Sequence, residues 1–212
     1  MALNSERQPS VLTLGEGTDI LWIMAGIRFK STLEQLDTAR AAVVAIRLAD
    51  LMGLVVHQPG TPVRVDELGR LAAAARQAGI AEGIAVSSRI NPHRLLEALE
   101  SSPLPEREIS RLAAVLGYPR LAELAVVSEP SLRRYAASER QAPDAVAQRL
   151  HFLALLIAIL RGSFNEFGIR RWFERPRQAL RGRTPSSALR GDWSPDEPGP
   201  QAVAQLAVEL LA

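Results

Sequence analysis

The stretch LAELAVVSEPSLRRYAASERQAPDAVAQRL, residues 121–150, decides how this chain is expected to fold. It predicts a first helix, a tight turn at Val127-Ser128, a second helix over 129–137 and a longer helix that begins at Pro143. Ser128 is the expected N-cap of the second helix, because its hydroxyl can accept a hydrogen bond from a free backbone N–H. This arrangement is typical of a helix-turn-helix, whose second helix enters the major groove of DNA.

The second of these helices has one apolar face and one polar face. Leu132 and Tyr135 are three residues apart, and we expect them to pack against the first helix. The predicted DNA-binding residues lie on the polar face, before the helix or just after it: Ser128, Ser131, Arg133, Arg134 and Arg140. An ordinary helical bundle with an arginine-rich solvated face would show the same spacing. Val126 and Ser138 also stand where this motif often has glycine.

The rest of the chain favours helices as well, and we expect an all-α protein. Ser31 and Glu34 have the spacing of a capping box, which predicts a helix from Ser31 to Met52. Asp66 and Asn91 are the expected N-caps of two further helices. The remaining predicted helices cover residues 67–78, 92–100, 106–116, 120–126, 164–173 and 201–211.

The run SSPLP at 101–105 predicts a linker, because serine and proline interrupt the helical pattern there. We therefore divide the chain into residues 1–102, a helical N-terminal extension of unassigned role, residues 103–162, a helix-turn-helix domain, and residues 163–212, a small C-terminal helical domain. The apolar run DILWIMAGI at 19–27 is compatible with a strand or with a buried helical turn.

Composition excludes several classes of function. The chain has no cysteine, which excludes disulfides, thiolate metal sites and a cysteine nucleophile. The three histidines lie in separate segments, and no serine stands in a G-x-S-x-G elbow. We predict a protein that is not an enzyme and that carries no cofactor and no metal. The N-terminus lacks a signal-peptide layout, and the longest apolar run is too short to span a bilayer, so a cytoplasmic location without a membrane partner is expected.

Residues 161–190 form an arginine-rich unit that also contains tryptophan and proline. It holds eight arginines against two glutamates, a charge that attracts nucleic acid or an acidic protein surface. Arginine and tryptophan often anchor protein interfaces. The predicted partner-binding residues are Arg171, Trp172, Arg175, Arg181, Arg183 and Trp193. Alternatively, Trp172 and Phe173 fill the core of a small terminal subdomain.

The C-terminal half, residues 106–212, resembles the Xre/MbcA/ParS type of antitoxin. One matching pattern is a helix that ends in RRWF, then a proline, then a Leu-x-Gly-x-x-Pro turn, and its residues here are Arg170, Arg171, Trp172, Phe173, Pro176, Leu180, Gly182, Pro185 and Leu189. The second pattern belongs to the helix-turn-helix and consists of Val127, Ser128, Leu132, Arg134, Tyr135, Arg140, Pro143, Val146 and Leu150.

The resemblance implies a helix-turn-helix joined to a toxin-binding domain. Its members neutralise a cognate toxin, often a RES-domain enzyme that consumes NAD, by covering the active site, and they repress their own operon by binding promoter DNA. They also form homodimers or higher oligomers. Two alternatives remain: a stand-alone transcriptional regulator whose N-terminal helices dimerise or sense a ligand, and an adaptor with a vestigial helix-turn-helix.

Overall fold

A computed structural model describes residue 33 and residues 36–58, 60–80 and 90–211 of the chain. Over these residues the protein is all-α and has no strand, which confirms the predicted fold class. The predicted capping box at Ser31 and Glu34 and the apolar run at 19–27 lie outside the described residues. The helices in chain order are α1 (Thr38–Leu51), α2 (Val65–Gln77), α3 (Pro92–Glu100), α4 (Pro105–Leu116), α5 (Tyr118–Ala125), α6 (Glu129–Ala136), α7 (Asp144–Leu160), α8 (Glu166–Glu174), α9 (Pro185–Ala188) and α10 (Pro198–Val208), with 3-10 turns at Gln178–Leu180 and Glu209–Leu211.

Capping residues set where these helices begin. Asp37 caps α1 by accepting a hydrogen bond from the Arg40 backbone N–H (2.8 Å), so the prediction of one continuous helix from Ser31 to Met52 is wrong, because the helix is interrupted at Leu36 and Asp37. Asn91 caps α3 as predicted, since its side chain accepts from His93 N and Arg94 N. The prediction that Asp66 caps α2 is wrong, because the helix begins at Val65 and its N-cap is Arg64, whose backbone N–H donates to Glu67 Oε2 (2.8 Å).

Helix α7 lies at the centre of the molecule. Its side chains from Arg149 to Leu160 are all buried, a pattern typical of a helix that is surrounded by other helices. It packs against α1, α4, α5 and α10. One cluster of buried apolar side chains therefore runs from Leu33 to Val208 and includes residues of all three predicted segments. No helix within the described ranges is long and apolar enough to cross a membrane.

Helices α5 and α6 are joined by a turn of three residues, Val126 to Ser128, and each helix has eight residues. Ser128 caps α6 as predicted, with its hydroxyl oxygen accepting from Ser131 N (3.3 Å). Val126 adopts the left-handed conformation (φ 58°), and Val127 N donates to Ala122 O (3.0 Å). This is the Schellman arrangement that ends many helices, and glycine normally occupies the left-handed position. The chain thus forms the turn with a β-branched residue in a strained conformation.

Replacing Val126 by glycine is expected to raise the free energy of unfolding by about 0.5–1 kcal/mol. The left-handed conformation costs an L-residue about 1–2 kcal/mol, and the greater flexibility of unfolded glycine offsets part of the gain. Val126 is 39% exposed, so little packing is lost. Urea denaturation measures the change. Val127→Gly is the matched control: Val127 packs against the core with an ordinary φ, and its loss should destabilise. A destabilised Val126→Gly variant would contradict the prediction.

Candidate nucleic-acid and partner interfaces

Packing against two helices fixes the orientation of α6. Leu132 is fully buried and Tyr135 is 4% exposed, as predicted from their spacing. Both α4 and α5 pack against α6, and the side chains of Leu121 and Leu124 on α5 are buried in the same core. The opposite face of α6 is therefore directed to solvent, and it carries the predicted DNA-binding residues.

The arginines of this face differ in the contacts that their side chains make within the protein. Arg134 and Arg140 are exposed, and their side chains have no hydrogen bond or ion pair with any described residue. Arg133 is exposed but lies over the ring of Tyr118, 4.0 Å from its centroid, and 3.5 Å from the carboxylate of Glu129. The structure thus leaves Arg134 and Arg140 as the arginines best placed to meet phosphate, while Arg133 is held by its own chain.

The two predicted serines lie at the N-terminus of α6. Ser128 Oγ donates to Ser131 Oγ (2.9 Å) besides its capping role. The first backbone N–H groups of a helix lack partners within the helix, and phosphate oxygens bind readily there. The serines lie at the start of α6 together with the acidic Glu129, and Ser131 N is already bonded to Ser128.

Of the acidic groups near this face, Glu123 is paired with arginines and Glu139 is not. Glu123 accepts from Arg120 (2.6 Å) and lies 3.5 Å from Arg190. These pairs offset the charge of Glu123, whereas Glu139, which lies between Arg134 and Arg140 in the sequence, is exposed and has no ion pair with a described residue. Affinity for DNA scales with the number of phosphates neutralised, so two unpaired arginines per chain would give only modest binding by one copy. A dimer on two half-sites would bind more strongly and specifically.

The aromatic residues of the C-terminal unit lie in its core. Trp172 and Trp193 are each 3% exposed, and Phe173 is 1% exposed. The rings of Trp172 and Phe173 meet edge to face, with centroids 5.3 Å apart. The prediction that Trp172 and Trp193 contact a partner is therefore wrong for this conformation, because their burial leaves no indole surface for another protein. The alternative, that Trp172 and Phe173 fill a terminal core, is confirmed.

Trp193 attaches the C-terminal unit to the helix-turn-helix. Its Nε1–H donates to the backbone oxygen of Leu124 on α5 (3.0 Å), and its ring meets Phe152 of α7 edge on, with centroids 5.4 Å apart. Its own backbone oxygen accepts from Arg149 Nε (2.6 Å). Trp193 lies in a polar, proline-rich stretch without periodicity, so the sequence carries no local signal for this role.

Two arginines add further links between the same parts of the protein. Arg120 of α5 pairs with Glu174 of α8 and donates to Ser186 Oγ (2.6 Å). Arg170 Nη1 donates to Val115 O (2.7 Å) on α4. The helix-turn-helix and the C-terminal unit are thus joined by polar contacts as well as by the shared core.

The exposed residues of the C-terminal unit lie on the outer face of α8 and in the segment that follows it. Phe167 is 65% exposed, and Arg171, one turn later on the same face, is exposed beside it. Arg175, which follows the helix, is exposed too, and so are Arg181 and Arg183. We call Phe167, Arg171 and Arg175 the α8 face. The sequence prediction missed Phe167, although its place opposite the buried Ile169 and Trp172 could have identified it.

Comparison with protein-family models, with curated proteins and with solved structures finds no match for this chain. No group of three or more His, Asp or Glu side chains within the described segments is arranged to hold a metal ion.

Proposed function

We propose that this protein is an antitoxin, which binds a cognate toxin through the α8 face and represses its own operon through α6. The first activity is supported by the exposure of Phe167, a large aromatic side chain that is 65% exposed. Arg171 and Arg175 are exposed on the same surface. Aromatic residues and arginines anchor protein interfaces more often than other residue types. The partner surface that complements them is acidic and has an apolar recess.

The resemblance to Xre/MbcA/ParS antitoxins supports the same activity through the architecture of the unit. The buried residues that build the C-terminal core are those of the matching motif: Trp172, Phe173, Leu180, Pro185 and Leu189. Gly182, also in the motif, has φ 77°, which other residues rarely adopt. The proposed mechanism is steric, with the unit covering the toxin's active site in the cytoplasm.

The second activity, DNA binding, is supported by α6 itself. It is a short capped helix with an inward apolar face and an outward face that carries Arg134, with Arg140 just beyond. Because Trp193 and Arg120 fix the C-terminal unit to α5, a bound toxin would be carried on the same rigid body that contacts promoter DNA.

A stand-alone regulator that senses a small molecule is the second candidate function. It is favoured by one observation, a cavity of about 360 Å³ that is lined by residues of α1, α2 and α4. Helix α4 packs against α6, so a ligand in this cavity would lie one helix away from the proposed DNA-binding surface.

Two variants separate the two proposed activities. Phe167→Asp is expected to weaken toxin inhibition about 30-fold or more, since loss of an interface anchor costs about 2 kcal/mol, while promoter binding stays unchanged.

Arg134→Ala combined with Arg140→Ala is expected to weaken binding to the DNA upstream of the gene and to reduce its salt slope by about one unit per arginine. Toxin inhibition should then remain. The toxin is the product of the neighbouring open reading frame.

Val56→Asp is the matched control for Phe167→Asp, because Val56 is the apolar side chain with 82% exposure and lies in the N-terminal part of the chain. It should inhibit the toxin as the unaltered protein does. A Phe167→Asp protein that still inhibits would remove the α8 face as the binding surface. A neighbouring gene product that neither binds the chain nor harms the cell would overturn the antitoxin proposal.

A further inference from the structure

Two arginine side chains, one from α4 and one from the end of α7, reach a buried carboxylate of α1. Asp50, near the end of α1, is 6% exposed. Its Oδ1 accepts from Arg111 Nη1 of α4 (2.9 Å) and from His57 N (3.2 Å), and its Oδ2 accepts from Arg161 Nη1 at the end of α7 (2.8 Å). Both carboxylate oxygens are therefore occupied, and two guanidinium groups share a single negative charge.

Arg47, one turn before Asp50 on α1, adds a third guanidinium. It lies against Gly162, where an added Cβ would come within 2.7 Å of Arg47 Nη1. In the ranges that the structure describes, it has no hydrogen bond or ion pair. Burial, and after it the positive charge of Arg161, lowers the pKa of Arg47. Nε of Arg161 is buried without an acceptor. The cluster thus holds more positive charge than Asp50 compensates.

A cavity of about 360 Å³ opens beside this cluster, a size typical of small-molecule sites. Arg111 lines it together with Arg70 of α2, and Glu67 is its acidic group. Glu67 is already engaged, since Oε2 accepts from Arg64 N (2.8 Å) and Oε1 lies 3.3 Å from His57 Nδ1 and 3.9 Å from Arg70 Nη2. The other lining residues are mainly apolar: Ile46, Gly53, Leu54, Val55 and Val56. The cavity therefore combines an apolar wall with two arginines, of which Arg111 shares Asp50 with Arg161 and Arg70 pairs with Asp66 and Glu67.

We propose that this cavity binds a small organic anion, a carboxylate or phosphate monoester with a short apolar chain. Its oxyanion head would accept hydrogen bonds from Arg111 and Arg70, and its chain would lie along Leu54 and Val55. Charge left uncompensated near the interior is unfavourable, and an oxyanion supplies both the missing negative charge and charge-assisted hydrogen bonds. This gives the N-terminal helices α1 and α2 a binding role that is independent of toxin and of DNA.

Titration calorimetry of the full-length chain tests the site with four probes. Hexanoate and butyl phosphate carry both the anionic head and the apolar chain, whereas inorganic phosphate carries only the head and 1-hexanol only the chain. Saturable binding of one or both amphiphilic anions, tighter than that of the partial probes, is the expected result. Absence of saturable binding by both anions, or equal binding of 1-hexanol, would overturn the proposal.

Variants locate the binding within the cavity. Arg70→Gln is expected to weaken binding of the anion about tenfold, the effect of losing one charge-assisted hydrogen bond. Arg70 is 65% exposed and pairs with Asp66 at 3.4 Å, so its replacement leaves the fold intact. Arg76→Gln is the matched control, an exposed arginine on the same helix outside the cavity, and it should bind normally. Equal affinity of the Arg70 and Arg76 variants would overturn the assignment.

A further variant tests whether the positive charge of Arg47 lacks a compensating negative charge. Arg47→Gln is expected to unfold at the same or a higher urea concentration than the unaltered protein, because the substitution relieves repulsion from Arg161. An arginine with a compensating partner would instead be needed for stability. A lower denaturation midpoint would therefore remove the unbalanced charge on which the proposed anion site depends.

Discussion

Replacing Trp193 by alanine is expected to lower the free energy of unfolding by about 3–5 kcal/mol, the range for removing a large buried aromatic side chain. The indole is 3% exposed, meets Phe152 edge to face and donates to Leu124 O. Alanine would leave a cavity between α5, α7 and the C-terminal unit, and Leu124 O would lose its donor. Urea denaturation followed by circular dichroism measures the loss.

Trp193→Phe separates packing from hydrogen bonding. It keeps an aromatic ring but removes the Nε1–H donor, and it should cost about 1–3 kcal/mol, the penalty for one unsatisfied buried group together with a smaller ring. Because Trp193 joins the C-terminal unit to α5, Trp193→Ala should impair toxin inhibition and DNA binding together, in contrast to Phe167→Asp. A loss below about 1 kcal/mol for Trp193→Ala would show that the indole does not hold these parts together.

Local signals in the sequence predicted most of the helices. Periodicity placed Leu132 and Tyr135 in the core, and hydrogen-bonding side chains placed the N-caps at Asn91 and Ser128. These features depend on contacts within a few residues, so the sequence states them directly. The sequence pattern predicted one continuous helix through Asp37, because Ser31 and Asp37 both have capping side chains and a local pattern does not show that a new helix begins at the second of them.

Contacts between distant residues could not be predicted in the same way. Trp193 bonds to a residue 69 positions earlier, and Asp50 binds Arg161, 111 positions later. An arginine beside a tryptophan is typical of a protein interface as well as of a packed junction, and only the fold distinguishes the two for Trp172 and Trp193. The contact of Arg133 could not be predicted from the sequence either, because its position over the Tyr118 ring depends on how α5 packs against α6.

His151→Leu is expected to lower the free energy of unfolding by about 3–5 kcal/mol at neutral pH, the range for removing one member of a buried ionisable pair. His151 of α7 lies with Nδ1 2.7 Å from Oε1 of Glu108 on α4, and Glu108 is fully buried. Glu108 Oε2 and His151 Nε2 are also buried, without hydrogen-bond partners. The leucine would leave the carboxylate facing an apolar side chain, with Leu104 N as its remaining donor (3.0 Å).

The double variant Glu108→Gln with His151→Leu tests whether charge is the cause. Glutamine keeps an acceptor for Leu104 N and removes the ionisable group, so it should recover at least about 1 kcal/mol of the loss in the His151→Leu protein. Simple additivity of the two substitutions would contradict coupling between the side chains. Because α4 packs against both α6 and α7, the pair also supports the helix that orients the proposed DNA-binding face. His151→Leu should therefore weaken promoter binding, and the second substitution should restore part of it.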